Sequence, residues 1–174
     1  PKGSHDQIPQ HPLSVALAIA DRVDSLIGFF AINITPTGSK DPFALRRAAL
    51  GLIQLILEAL FALDLRALLK AAYQNYKWDL LKPETLNSEE DTLNLIWDFL
   101  MERLKFFLRD QRGSAYDHVE AVLALASAEN DLARLAKRVK ALDSFLNTED
   151  GENLVTGFKR AANILKIEES KDRS

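Results

Sequence analysis

The sequence predicts an all-α protein built of helical bundles, and three observations carry that prediction. Apolar residues recur at spacings of three and four along almost the whole chain, and no stretch alternates in the manner of a strand. The breaks between these runs are short and rich in Pro, Gly, Asp and Ser, the residues of caps and turns. An apolar fraction of 47% and a charged fraction of 27% over 174 residues belong to a folded chain with a sizeable core.

The first predicted helix runs from Leu13 to Phe30, with Val15, Ile19, Val23, Leu26 and Phe30 on one face and Asp21, Arg22 and Asp24 interrupting it. Pro36 and Gly38 then break the chain in a loop over 31–41. Asp41-Pro42 supplies a helix start, because a carboxylate accepts from free N–H groups at the N-cap and proline suits the first helical position. From Ala48 to Leu63 the helix is apolar nearly all round, broken by Gly51, Gln54 and Glu58. A membrane span needs about 20 apolar residues, so this run is expected to be a helix buried between neighbours.

Asp64 is placed to cap a helix over Leu65–Leu80 that carries Tyr73, Tyr76 and Trp78, with Pro83 beyond it. The stretch "LNSEED" opens a new helix, Ser88 and Asp91 resembling a capping box. A boundary is expected near 82–88, dividing the chain into 1–84 and 85–174. The second part begins with a long helix, Glu89–Gln111, striped by Leu93, Trp97, Leu100, Leu104 and Phe107 and closed by Gly113. Helices over 115–127, 129–146 and 152–167 follow, the last preceded by a turn, "NTEDGEN", at 147–153. Four helices with short connections predict a compact antiparallel bundle.

A net charge of −3 means that any nucleic-acid contact must come from local clusters of cations. The absence of cysteine excludes disulfides, thiolate catalysis and Cys-based zinc sites, and His5, His11 and His118 lack metal-ligand spacing. The polar, Pro-rich opening has no signal-peptide core, and the chain reads as a piece of something longer. No catalytic triad, nucleophile elbow or zinc motif stands in it.

Four clusters remain as candidates. "TPTGSKDPF" has one glycine and the wrong order for a phosphate loop, so a turn with a helix cap is the default there. Arg46 and Arg47 oppose the helix dipole and point to an acidic partner or a phosphate, against the alternative of internal ion pairing. Asp21 and Asp24 share a helical face that suits a hard cation or acid–base work, or a solvated face. Arg134, Lys137, Arg138 and Lys140, with Lys159 and Arg160 on the next helix, form a basic patch that suits a phosphate backbone, but Asp131, Asp143 and the acids at 149–152 dilute it, so a solvated face is the default there.

Three stretches, "ALAIADRVDSLIGFF", "PTGSKDPFALRRAALGLIQLI" and "FKRAANIL", resemble the β subunit of the bacterial two-subunit glycyl-tRNA synthetase, and "YDHVEAVLAL…LAKRVKALDSFL" resembles its C-terminal region. The resemblance implies an internal or C-terminal fragment of a cytoplasmic α2β2 ligase. In that assembly the α subunit activates glycine with ATP and Mg, and the β subunit binds the tRNA. The implied partners are glycine tRNA and the α subunit, with neither DNA nor a membrane, and the fragment alone is expected to catalyse nothing and to hold no cofactor.

Residues 12–30 resemble the end of an HD-type helical domain. There Asp21 takes the place of a metal ligand whose partners would precede residue 1, so no metal is expected. Residues from 88 onward resemble a helical anticodon-binding domain. The resemblance makes Arg134, Lys137, Arg138, Lys159 and Arg160 candidates for tRNA phosphates, and Lys40, Arg46 and Arg47 candidates for contact with tRNA or the α subunit. Tyr116 and Tyr76 are candidates for stacking on unpaired bases, or packing tyrosines. Two alternatives stand beside this: a module that only docks the α subunit, and a remnant of an HD-type metal phosphohydrolase.

Overall fold

The computed structural model describes residues 9, 11–59, 62–78, 86–125 and 129–172, and these are helical with no strand beyond one isolated bridge, Thr37 to Lys40. The helices are α1 (Pro12–Ala31), α2 (Leu45–Ala59), α3 (Leu65–Gln74), α4 (Glu89–Phe106), α5 (Tyr116–Ala124), α6 (Leu132–Leu146) and α7 (Glu149–Asp172). A π-helical turn, Phe107–Gln111, extends α4. The predicted all-α class is thus the observed one.

Helix α1 buries Val15, Ile19, Val23, Leu26, Ile27 and Phe30, as its periodicity requires. Its end is a Schellman motif. Asn33 takes a left-handed φ of 62°, while Ile34 N–H donates to the Phe29 carbonyl at 2.9 Å and Asn33 N–H to that of Phe30 at 3.1 Å. Asn87 reinforces this end, donating from its side chain to the Phe30 carbonyl at 2.9 Å and from its backbone to that of Ala31 at 2.8 Å.

The start of α2 differs from expectation. Asp41 does cap, its two oxygens accepting from Leu45 and Arg46 N–H at 2.8 and 3.0 Å, but the helix begins at Leu45, not at Pro42. Ala44 has a φ of 54°, outside the helical well, so Pro42 belongs to a turn that swings the carboxylate under the first true helical turn. Helix α2 then buries Leu45, Ala49, Leu52, Ile53, Leu55, Ile56 and Leu57 between α1, α4 and α6. It is the buried helix that its all-round apolar pattern predicts.

Asp64 caps α3 through Ala67 N–H at 2.9 Å, but the helix stops at Gln74, short of the expected Leu80. Tertiary contacts outcompete propagation. The Trp78 indole donates to the Tyr73 carbonyl at 2.9 Å, and the Tyr76 hydroxyl lies 2.8 Å from the Asp24 carboxylate on α1. The Tyr76 and Trp78 rings stack at 4.5 Å. The predicted boundary at residues 84–85 touches 79–85, outside the described residues, as do residues 1–8 with His5. Buried side chains before and after that gap share one cluster, since Ile96, Leu100 and Leu104 of α4 pack with the core of α1, α2 and α3.

Ser88 caps α4 as foreseen, Asp91 N–H donating to its hydroxyl at 3.1 Å. Gly113, with φ 73°, closes the π turn, and Ser114 N–H reaches back to the Leu108 carbonyl at 3.0 Å. Helix α6 starts at Leu132 because Asp131 is its cap, accepting from Ala133 and Arg134 N–H. The predicted turn at 147–153 shrinks to Asn147 and Thr148. Thr148 caps α7 through Gly151 N–H at 3.2 Å, and Glu149, Asp150 and Glu152 favour the positive helix end. Gly151 is a clearance residue, for a Cβ there would fall on the Phe145 carbonyl oxygen and crowd Leu146. Beyond this corner α7 projects, with Leu154, Phe158, Ile164 and Leu165 exposed.

Candidate nucleic-acid interface

The arginine pair at the start of α2 divides into two roles. Arg46 donates from Nη2 to the Gly38 carbonyl at 2.7 Å and from Nη1 toward that of Lys40 at 3.5 Å, so its guanidinium clamps the preceding loop. The amides of Thr37 and Lys40 are consumed by each other's carbonyls at 3.1 and 2.8 Å. A phosphate cradle needs such N–H groups free, so this loop is a turn. Arg47 and Lys40 are exposed, and their side chains make no hydrogen bond or ion pair among the described residues. Phe43, half-exposed and stacked on Phe29 at 4.2 Å, accompanies them.

The basic patch divides as well. Glu129 lies just before α6 with its side chain only 12% exposed, and Arg138 and Arg134 reach its carboxylate at 3.1 and 3.6 Å. The same carboxylate accepts from Asp131 N–H at 3.2 Å. Sequence reasoning paired Arg134 with Arg138 but missed the acid that holds both. The signal was available, because Glu129 precedes the Asp131 cap while Arg134 and Arg138 follow at helical spacing. Lys137 and Lys140 on α6, and Lys159 and Arg160 on α7, are exposed and unpaired among the described residues.

The two tyrosines part company. Tyr76 is committed to packing: burial, then its hydrogen bond to Asp24 and that residue's charge, push its hydroxyl pKa far above the ordinary tyrosine range. Tyr116, at the first position of α5, is 62% exposed. The Asp21–Asp24 pair is split likewise, since Asp24 holds Tyr76 while Asp21 is exposed. No group of three His, Asp or Glu side chains converges on a metal position among the described residues.

One further cluster, unforeseen from sequence, joins α5 to α6. His118 Nδ1 lies 2.6 Å from Asp143 Oδ1, both side chains being largely buried. Burial alone would push the Asp143 carboxyl up. Hydrogen bonds from Ser114, His118 and the Ala115 backbone, with the His118 charge, hold it below the usual carboxylate range.

The class this geometry defines among the described residues is a helical module with unpaired cations and exposed rings on its surface. No helix among the described residues is long and apolar enough to cross a membrane. Residues 1–124 match the family described as the glycyl-tRNA synthetase beta subunit, and the chain belongs to that family. It is 45% identical over 172 residues to the glycine–tRNA ligase beta subunit of a Ruegeria species, covering 99% of this chain and 23% of that protein. The beta subunit of Dinoroseobacter shibae is 43% identical over 192 residues, covering 99% of this chain and 26% of the relative. That of Rhodospirillum centenum is 43% identical over 180 residues, with coverage of 99% and 23%. The chain therefore spans about a quarter of the length of these relatives.

Proposed function

We propose that this chain is a tRNA-binding segment of a glycine–tRNA ligase, contributing contacts to glycine tRNA while a separate α subunit carries out the ATP- and Mg-dependent attachment of glycine. The observation that carries this reading is the set of uncommitted cations, Lys137, Lys140, Lys159 and Arg160, on two successive helices of a family member. On a chain of net charge −3 such cations are the means of meeting a phosphate backbone locally. Lys40 and Arg47 offer a second contact point, toward tRNA or the α subunit. Arg46 does not, being spent on the loop. The chain itself supplies no reacting group in this reading, and its work is positional.

Binding of the purified chain to glycine tRNA, across a salt series and against an unrelated tRNA, tests the proposal. The expected result is salt-sensitive binding that prefers glycine tRNA and weakens when Lys137 and Lys159 are both changed to Glu. Binding untouched by that double reversal would sink the assignment. A second reading, docking of the α subunit without RNA contact, is favoured by the uncovered apolar face of α7, Leu154, Phe158 and Leu165. It predicts α-subunit capture by the chain with no tRNA retention.

A further inference from the structure

At the corner where α4, the π turn and α5 meet lies an open cavity of about 340 Å³, floored by the buried Val119. Two rings stand at its rim, Phe106 at 46% exposure and Tyr116 at 62%. Exposed apolar surface gathered at a concavity is one of the marks of a binding groove. The π turn bears on the same place. Insertion of an extra residue into a helical turn is uncommon and frequent at functional sites, and here it carries Arg109 at the cavity edge.

The charges around the cavity are balanced. Lys105 Nζ holds the Glu120 carboxylate at 2.9 and 3.0 Å, Arg109 holds Asp110 at 2.9 Å, and Arg103 holds Glu102 at 2.6 Å. A bare phosphate would therefore find no surplus cation. The capacity left over is two exposed rings and the unused lone pairs of Glu102 and Glu120, since an ionised carboxylate offers about four acceptor sites. Flat, aromatic and edged with N–H donors is the complementary description, and it is that of a nucleobase bearing an exocyclic amine.

We infer that this corner is a stacking pocket for one unpaired, amino-bearing nucleobase, with Tyr116 and Phe106 as its platform and Glu120 or Glu102 accepting from the amine. The inference rests on the RNA-binding proposal and deepens it. Cytosine, adenine and guanine present such donors at the Watson–Crick edge, whereas uracil flanks its single N–H with two carbonyl oxygens that a carboxylate repels. The pocket thus selects against uracil.

The test is titration of the isotope-labelled 174-residue chain with penta-cytidylate and penta-uridylate, followed by amide NMR. The expected result is shifts centred on residues 105–120 with penta-cytidylate, and markedly weaker binding of penta-uridylate. Tyr116→Ala should weaken penta-cytidylate binding by about tenfold, the usual scale for one stacked base, and Tyr116→Phe should not. Glu102→Gln and Glu120→Gln together should keep the stacking and erase the preference, because an amide can donate to uracil as readily as it accepts from cytosine. Equal binding of both pentamers, or indifference to Tyr116→Ala, overturns the pocket. If glycine tRNA binds while residues 105–120 stay silent, the pocket falls and the RNA reading stands; if neither tRNA nor pentamer binds, both fall.

Discussion

Glu129→Gln is the substitution that best separates charge from fold at the basic patch. The wild-type carboxylate is shared by Arg134 and Arg138 at 3.6 and 3.1 Å and offsets one of their two charges. Glutamine keeps an oxygen to accept from Asp131 N–H, so the turn into α6 survives and only the charge goes. Both guanidinium groups are half-exposed or more, so losing the pairs should cost under about 1 kcal/mol of stability. The gain appears in RNA binding. Each phosphate neutralised steepens the dependence of log affinity on log salt by about 0.7 to 0.9, so the one unit of positive charge freed should steepen it by about 0.8. Over a fourfold rise in salt that is an extra loss of about threefold, matched by tighter binding at the low-salt end. Fluorescence anisotropy with labelled glycine tRNA measures the slope directly, with a thermal melt confirming the fold. An unchanged slope in a folded Glu129→Gln protein would refute the expectation that Arg134 and Arg138 meet phosphate once that carboxylate is removed.

Three further outcomes follow from the packing. Because the Asp143 carboxyl is depressed in the folded state, its contribution is complete above the ordinary aspartate pKa of 3.8 and is lost as pH falls through the lower folded value. Asp143→Asn should accordingly flatten the acid limb of a stability-versus-pH curve. Gly151→Ala, which drives a methyl into the Phe145 carbonyl, should cost about 1–3 kcal/mol in urea unfolding, and an unchanged midpoint would contradict the α6–α7 corner. Leu100→Ala, at a fully buried position of α4, should cost about 2–5 kcal/mol, whereas Leu154→Ala on the exposed face of α7 should stay within about 0.5 kcal/mol.

The helices that were legible in the sequence are those whose burial follows one uninterrupted period. In α1, Val15, Ile19, Val23, Leu26 and Phe30 were read as one face and are buried together. The errors fall where a tertiary contact or a backbone special overrides the local signal. Asp41-Pro42 carries every mark of a helix start, yet a left-handed Ala44 delays it. Nothing in residues 65–80 announces that Tyr76 will bond to Asp24, 52 residues earlier, and so end α3. Gly151 reads as a breaker because spacing cannot distinguish a glycine that stops a helix from one that lets two helices cross closely. At the candidate site the cations were legible as a set, and Glu129 marked two of them as paired, but the backbone carbonyls that hold Arg46 left no mark in the sequence.

That last distinction governs how the surface can be interrogated. Arg46 and Arg47 are neighbours in sequence and equal in charge, yet one fastens the Gly38–Lys40 loop and the other reaches solvent. Arg103 is likewise structural, donating to the Phe99 carbonyl at 3.1 Å while lying 3.8 Å above the Phe99 ring. Removing such a cation alters the fold and the field together, and a lost affinity would then say nothing about where RNA sits. Lys40, Arg47, Lys137, Lys140, Lys159 and Arg160 carry no such burden among the described residues. Charge reversal at these positions changes the field alone, which makes them the set whose response to salt reports phosphate contact and not the integrity of the helices beneath.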